Sequence, residues 1–556
     1  MSQAQRNYEK VLNIGVIILI LWHMLMSQSK YYFGTYKAES IYAIVLFLGG
    51  ITYLILCRFL WKGSFSRIKN YAAKFRSTNQ FICAALCFWY LVSFLVNGKP
   101  YIKENVWQMF DAAVVCLLVF NLPFVLTKIK AKKVIEVLLH VTSLYEFLIL
   151  AYALWHVFKL DFIRLPTGEI IGLGRQHTFQ LGTHYCGTSG IMLSFILVSF
   201  YMIATQKAAV KILYTINLIP FTYALLLTNS RAGFIACVAA YFSAVFLTVW
   251  NYSKEKPAFF RWGFGIIFGA AAAGIIWLSR SWAFQLFESI THYSNPEAAQ
   301  MRNLFFSPQQ ACGYNGISRS LLVLSLPAFL SGEKIKKIIS KVNRSFCRTA
   351  KIALFTAVIM IFCAVFTFIS PLYHSSGQNT PVNTAYAQDT NDQNIHVQAG
   401  KDSLRDLSNL DTMKYRMDVW KSAISVMRSD WRTFLFGVTP VGVPDALINI
   451  GNLYFRAWHA HNQVLQIGVS LGVPMMILFV IFLVITGIRA VRLCLTDGSR
   501  HFRGAYIIPV AFAAYVVLDL VESYLFATFD IMSSLFFLFC GWINVLEQNK
   551  KEASED

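Results

Sequence analysis

Long apolar runs recur from one end of the chain to the other, separated by short basic or polar segments. They fall near positions 11–28, 41–60, 80–97, 106–126, 135–157, 186–205, 212–228, 232–250, 262–278, 315–331, 352–372, 462–487, 505–525 and 528–547. Most are about as long as the twenty or so residues a helix needs to cross a bilayer. None alternates in the ten-residue way of a barrel strand. In lipid every backbone polar group must be satisfied within the protein, so helices are the expected element. The pattern predicts an all-α fold, a polytopic transmembrane helical bundle of about 12–14 spans. The first run lacks a small-residue cleavage site and reads as a span rather than a removable leader.

One interval breaks the rhythm. From Pro371 to Ala460 the chain is polar, and its first part, SSGQNTPVNTAYAQDTNDQNIHVQAGKDS, has little to bury. This insertion, 373–408, has no assigned role. The stretch TMKYRMDVWKSAISVMRSD places Met413, Met417, Trp420, Ile424 and Met427 at three- and four-residue spacing. That spacing predicts an amphipathic helix within one large outer loop, 371–460. The expected organisation is N-terminal helices over 1–211, a core over 212–487 that includes the loop, and C-terminal helices with a tail over 488–556.

Composition narrows the class. Hydrophobic residues make up 56% of the 556 and charged residues 14%, too few charges to cover a water-facing surface. The formal charge of +21 does not point to nucleic acid, because the excess sits in short loops between apolar runs. Lys62 to Arg76, Lys128 to Lys133, Lys334 to Lys351 and Arg489 to Arg503 fall on one side if the N-terminus is cytoplasmic. Both termini are then cytoplasmic, and the loop 371–460 faces out. The 11 cysteines are odd in number and lie mostly within apolar runs, where packing is their default role.

Candidate chemistry gathers on the outer face. Arg231 sits in TNSRAG, a tight turn between two spans. Arg416 opens the amphipathic helix in YRMDVW, and Arg175 lies in GRQHTFQLGTHYCG before the sixth span. His459 and His461 occupy AWHAHNQVLQIGVSLG at the mouth of an apolar run. Taken singly, each arginine also fits an interfacial anchor or a solvated charge. Two histidines at i, i+2 do not share a helix face, and no CxxC or HExxH accompanies them, so no metal and no cofactor are expected. Taken together, arginine forks suit phosphate oxygens, and a histidine, which titrates near neutrality, suits general-base work. One reaction uses both at a membrane face: a hydroxyl attacks the anomeric carbon of a glycan whose leaving group is a lipid diphosphate.

Three motifs carry a family resemblance. TNSRAG (228–233), YRMDVWKSAISVMRSDWRTFLFGVTP (415–440) and HNQVLQIGVSLG (461–472) resemble the segments of the O-antigen ligase and O-antigen polymerase superfamily of bacterial membrane glycosyltransferases. ESYLF (522–526) resembles the family's ending. The resemblance covers about 212–487. It implies a metal-independent, inverting transfer of a polyprenyl-diphosphate-linked glycan to a glycan or lipid acceptor, on the outer leaflet of the bacterial cytoplasmic membrane. It further implies that His461 is the base and that Arg231, Arg416 and, more loosely, Arg175 bind the diphosphate. Asn462 and Glu522 are candidates for acceptor contact or for structure. The sequence departs from the family's pattern at Trp431, Thr439 and Met475. A lipid-linked-sugar transporter and a non-catalytic assembly component are the alternatives. A transporter would place charges deep in several spans, where this chain has only Asp111, Glu136, Glu146, Asp519 and Glu522.

Overall fold

The computed structural model describes part of 17–27, then 77–291, 411–495 and 504–555, with short gaps at 127, 160–161, 165–169, 174–177, 254, 521 and 528–529. The expected spans at 41–60, 315–331 and 352–372, the insertion 373–408 and Arg175 lie outside the described residues.

The described chain is mostly helical. Helices α1 (Thr78–Asn97), α2 (Ile102–Ala113) and α3 (Lys128–Phe158) precede a small sheet. Then come α4 (Tyr185–Thr205), α5 (Ala208–Leu227), α6 (Arg231–Tyr252) and α7 (Ala258–Thr291). After the undescribed stretch, α8 (Asp411–Met427), α9 (Trp431–Phe436), α10 (Val443–Asn449) and α11 (Gln463–Leu471) form a separate lobe. Helices α12 (Val473–Leu495), α13 (Ile508–Asp519), α14 (Tyr524–Ala527) and α15 (Ile531–Glu555) close the chain. Eight helices among the described residues are long and apolar enough to cross a membrane.

Helix α4 is the axis of the core: its whole apolar stretch is buried. Its neighbours reach it through small and polar contacts, such as Tyr515 Oη donating to Ser194 Oγ at 2.7 Å. The outermost helices are inverted in character. On α12, Ile477, Ile481, Val484, Ile488 and Val491 are exposed at four- and three-residue spacing, while Phe479, Phe482 and Leu493 are buried. On α3, Val137, Val141, Leu144, Leu148, Tyr152 and Trp155 repeat the pattern. Stripes this long and apolar face hydrocarbon more favourably than water.

Three expectations need correction. The run at 462–487 is two helices, α11 and α12, broken at Gly472, whose φ is +89°. The run at 505–525 likewise ends at Asp519, and a break carrying Glu522 precedes α14. Finally, the fold is not wholly helical. In the segment before α4, β1 (Phe162–Arg164), β2 (Ile170–Leu173) and β3 (Phe179–Leu181) pair antiparallel in the order β1-β2-β3. Strands this short carry too little alternation to be seen in sequence.

Candidate active site

The lobe is closed on itself by backbone contacts that two glycines permit. Gly437 ends α9 with φ +68°, and a Cβ there would lie 2.3 Å from the Ser470 carbonyl carbon. Gly472 has its own Cβ direction filled by the Leu435 oxygen at 2.2 Å. With no side chain between them, Val438 N donates to Val469 O at 2.8 Å and Thr439 N to Ser470 O at 2.9 Å. Helix α1 seals the joint with one stripe. Trp89 Nε1 donates to Leu435 O (3.1 Å), Ser93 Oγ to Ser470 O (3.2 Å) and Asn97 Nδ2 to Gly437 O (2.6 Å). Both glycines belong to the motifs quoted above, and their contact explains why each motif needs one.

Helix α8 faces the lobe with Val419, Ala423, Val426 and Met427 buried, whereas Met417 and Ile424 are exposed. The expected apolar stripe is therefore rotated. Small Ser422 and Ala423 set the close face: Ser422 Oγ donates to Leu447 O at 2.9 Å and leaves no room for a side chain at Gly451. The rotation directs Arg416 and Trp420, four residues apart, toward the chain before α11.

There the central cluster forms. Arg416 Nη2 donates to Glu522 Oε1 at 2.8 Å, and His461 Nδ1 lies 3.1 Å from Glu522 Oε2. The Glu522 side chain is 1% exposed. Burial by itself raises a carboxyl pKa. Here the hydrogen bond from the His461 ring and the Arg416 charge more than offset burial and hold Glu522 at about 2, so it is ionised. Trp420 Nε1 donates to the His461 carbonyl at 3.3 Å. His461 itself has φ +50°, the left-handed region that a histidine adopts at a cost.

That backbone has a consequence for His459. The chain reverses at His461, so the two rings come to 4.2 Å between centroids, and the His461 N–H donates to His459 Nδ1 at 3.2 Å. Loss of water around the His459 ring, and then the neighbouring His461 ring, push its pKa down to about 3 and keep it neutral. The expectation that i, i+2 histidines diverge holds for a helix and fails in this turn. Donor atoms of His459, His461 and Glu522 all lie within 4.8 Å of one another.

Neither known family models nor curated proteins match this chain.

The remaining sequence candidates divide. Asn462 is structural: its Oδ1 caps α11 by accepting from Leu465 N (3.1 Å), and its Nδ2 donates to Leu520 O (3.1 Å). Asp519 makes no ion pair among the described residues, and both its oxygens lack a hydrogen-bond partner there; of the two late carboxylates only Glu522 meets an arginine. Arg231 begins α6 directly after Ser230, whose Oγ caps the helix from Gly233 N at 3.2 Å. A side chain on Gly233 would meet Ser189 Oγ at 2.3 Å, so the motif's glycine lets α6 close on α4. Ser230 and Glu522 both neighbour Cys186 of α4, which brings the Arg231 turn to the edge of the cluster.

Sequence reasoning missed Arg280. It is buried, lies over the Phe234 ring at 5.0 Å, and its Nη2 donates to Asn229 Oδ1 at 2.7 Å. Asn229 has φ +55° and carries the turn before Arg231. The signal was available as an arginine ending the apolar run at 262–278.

Proposed function

We propose that the chain is a glycosyltransferase of the O-antigen ligase and polymerase kind, a polytopic bundle of about 12–14 spans in the bacterial cytoplasmic membrane. In this reading both termini are cytoplasmic and the lobe α8–α11 is outside. It moves a polyprenyl-diphosphate-linked glycan to a hydroxyl of a glycan or lipid acceptor. The observation that carries the reading is the buried Glu522 carboxylate shared between Arg416 and His461.

Each group then has a task. Ionised Glu522 accepts a hydrogen bond from the His461 Nδ1–H, which leaves the Nε2 lone pair to act as base. The acceptor hydroxyl gives its proton to Nε2 as its oxygen bonds to the anomeric carbon. The bond from that carbon to the diphosphate oxygen breaks, the configuration inverts, and the electron pair leaves with the diphosphate. Arg416 spends one nitrogen on Glu522 and keeps other N–H groups for phosphate oxygens. Arg231, and Arg175 by resemblance, supply further positive charge to the departing diphosphate. In this mechanism arginine provides the counter-charge and no metal takes part.

The test uses membranes supplied with a polyprenyl-diphosphate glycan. His461→Ala is expected to lower transfer by roughly 10²–10⁴-fold at unchanged protein level. Arg231→Ala and Arg416→Ala are each expected to lose at least about tenfold, the scale of one charge-assisted hydrogen bond. Full activity in the His461 variant would remove the base, and full activity in both arginine variants would remove the clamp.

A further inference from the structure

We propose that the His459–His461 turn and Glu522 form a binding site for a borderline divalent cation, zinc foremost, and that the bound cation switches the base off. The consequence for catalysis rests on the transfer reading above; the binding site does not.

The geometry is that of converging ligands. Two imidazoles and a carboxylate offer donor atoms within 4.8 Å of one another. The 3.1 Å between His461 Nδ1 and Glu522 Oε2 is close to the roughly 3.3 Å separating two tetrahedral ligands bonded at about 2.0–2.1 Å. A nitrogen and oxygen donor set suits zinc better than magnesium or calcium, which favour all-oxygen shells. The left-handed backbone at His461 creates the convergence by turning the two rings onto one side.

Protonation favours a cation as well. His459 Nδ1 carries a lone pair and no proton, because it accepts the His461 N–H, and a cation bound there takes the place of that hydrogen bond. The Glu522 carboxylate keeps Arg416 on Oε1 and turns Oε2 to the histidine, so Arg416 becomes the outer partner that orients the ligand. The Arg416 charge also weakens a cation at this spot, so the site fills when zinc is plentiful and empties when it is scarce.

The effect on the base follows from imidazole chemistry. Without a cation, Nδ1 holds the proton toward Glu522 and Nε2 is free to accept one. A cation on Nδ1 displaces that proton, and the neutral ring then carries its single proton on Nε2. The base is left in the wrong tautomer, with no lone pair for the acceptor hydroxyl. His459 takes no step in transfer, so it separates cation binding from catalysis.

The experiment has two arms on the full chain. In detergent, Co²⁺ is titrated into purified protein and its visible absorption is followed, with Zn²⁺ as competitor. One tight equivalent is expected, displaced by Zn²⁺, and weakened at least tenfold in His459→Gln, which keeps a polar acceptor for the turn. Zn²⁺ should also raise the thermal midpoint of the wild type and not of the variant, which checks that the variant is folded. In membranes, Zn²⁺ should inhibit transfer, EDTA should restore it, Mg²⁺ should have no effect, and His459→Gln should transfer normally while resisting Zn²⁺. Co²⁺ binding that is absent, or equal in His459→Gln and Glu522→Gln, overturns the site. Loss of transfer on adding EDTA overturns the inhibitory role. Cobalt binding that depends on His459, in a protein that transfers no glycan, overturns the transfer reading and leaves the site standing.

Discussion

The core around α4 and the lobe α8–α11 solve opposite problems. In the core, helices satisfy their own backbones and meet through buried side chains, with cross-helix hydrogen bonds such as Tyr515 to Ser194 and Thr222 to Tyr241 at 2.7 Å. In the lobe, helices are short, and carbonyls at Leu435, Gly437 and Ser470 are satisfied by α1 side chains. All four non-glycine residues with positive φ among the described residues, Asn229, Thr439, Asn452 and His461, lie in turns, and three of them are in the lobe. Regular structure anchors the molecule, and irregular backbone, over-determined by its neighbours, aims the chemistry.

The largest expected effect tests that contrast within a few turns of chain. Gly472→Ala puts a Cβ 2.2 Å from the Leu435 oxygen at φ +89°, whereas Gly487→Ala, within α12, meets nothing nearer than Phe512 at 3.6 Å. The first is expected to cost on the order of 3 kcal/mol or more and the second to stay within about 0.5 kcal/mol. Thermal unfolding of the two purified variants decides it, and equal midpoints would erase the distinction between lobe and core.

A smaller effect probes the cluster itself. Glu522→Gln keeps the shape of the side chain but removes the charge that orients His461 and meets Arg416. Transfer is expected to fall roughly 10–100-fold, the usual scale for a group that orients a reacting residue. The loss should appear in kcat more than in acceptor KM; a loss confined to KM would make Glu522 an acceptor contact instead.

The smallest expected effect lies at the lobe's rim. Asp430 caps α9, accepting from the Thr433 hydroxyl (2.6 Å), Thr433 N (3.0 Å) and Arg432 N (2.8 Å), and these bonds lower its pKa. A folded pKa below the unfolded value stabilises the protein above the unfolded value of about 3.9, and that stabilisation fades as pH falls through the folded one. Asp430→Asn keeps a cap and loses the charge. After screening at an exposed site it should cost only a few tenths of a kcal/mol at pH 7. The two midpoints should converge as pH falls below the unfolded value and Asp430 takes up its proton, and a gap that persists once it is protonated would assign the effect to something other than charge.

The sequence made the long helices legible because hydrophobic periodicity over twenty residues is a strong signal. Runs 80–97, 186–205, 212–228 and 232–250 match α1, α4, α5 and α6 to within a few residues. It failed where an apolar run hides a break: the mark of it in GVSLGVPMM is Pro474, two residues past Gly472, a helix-end signal that hydropathy alone passes over. The candidate residues were legible by type, and Arg416, His461 and Glu522 do meet. Their arrangement was not. The convergence of His459 on His461 depends on one backbone angle, and the pinning of the Arg231 turn by Arg280 on a contact 51 positions away.

The stripe Trp89, Ser93 and Asn97 has a consequence for how the protein is made. Its partners lie 346, 377 and 340 positions further along the chain. During synthesis α1 emerges long before them, at a ribosome pace of about 5–20 residues per second. For that interval its three polar groups have no lobe to bind, and the lobe's freed carbonyls have no seal until α1 is reached. The lobe helices therefore find a template already in place, and the lobe completes itself against a helix that has been held ready for it.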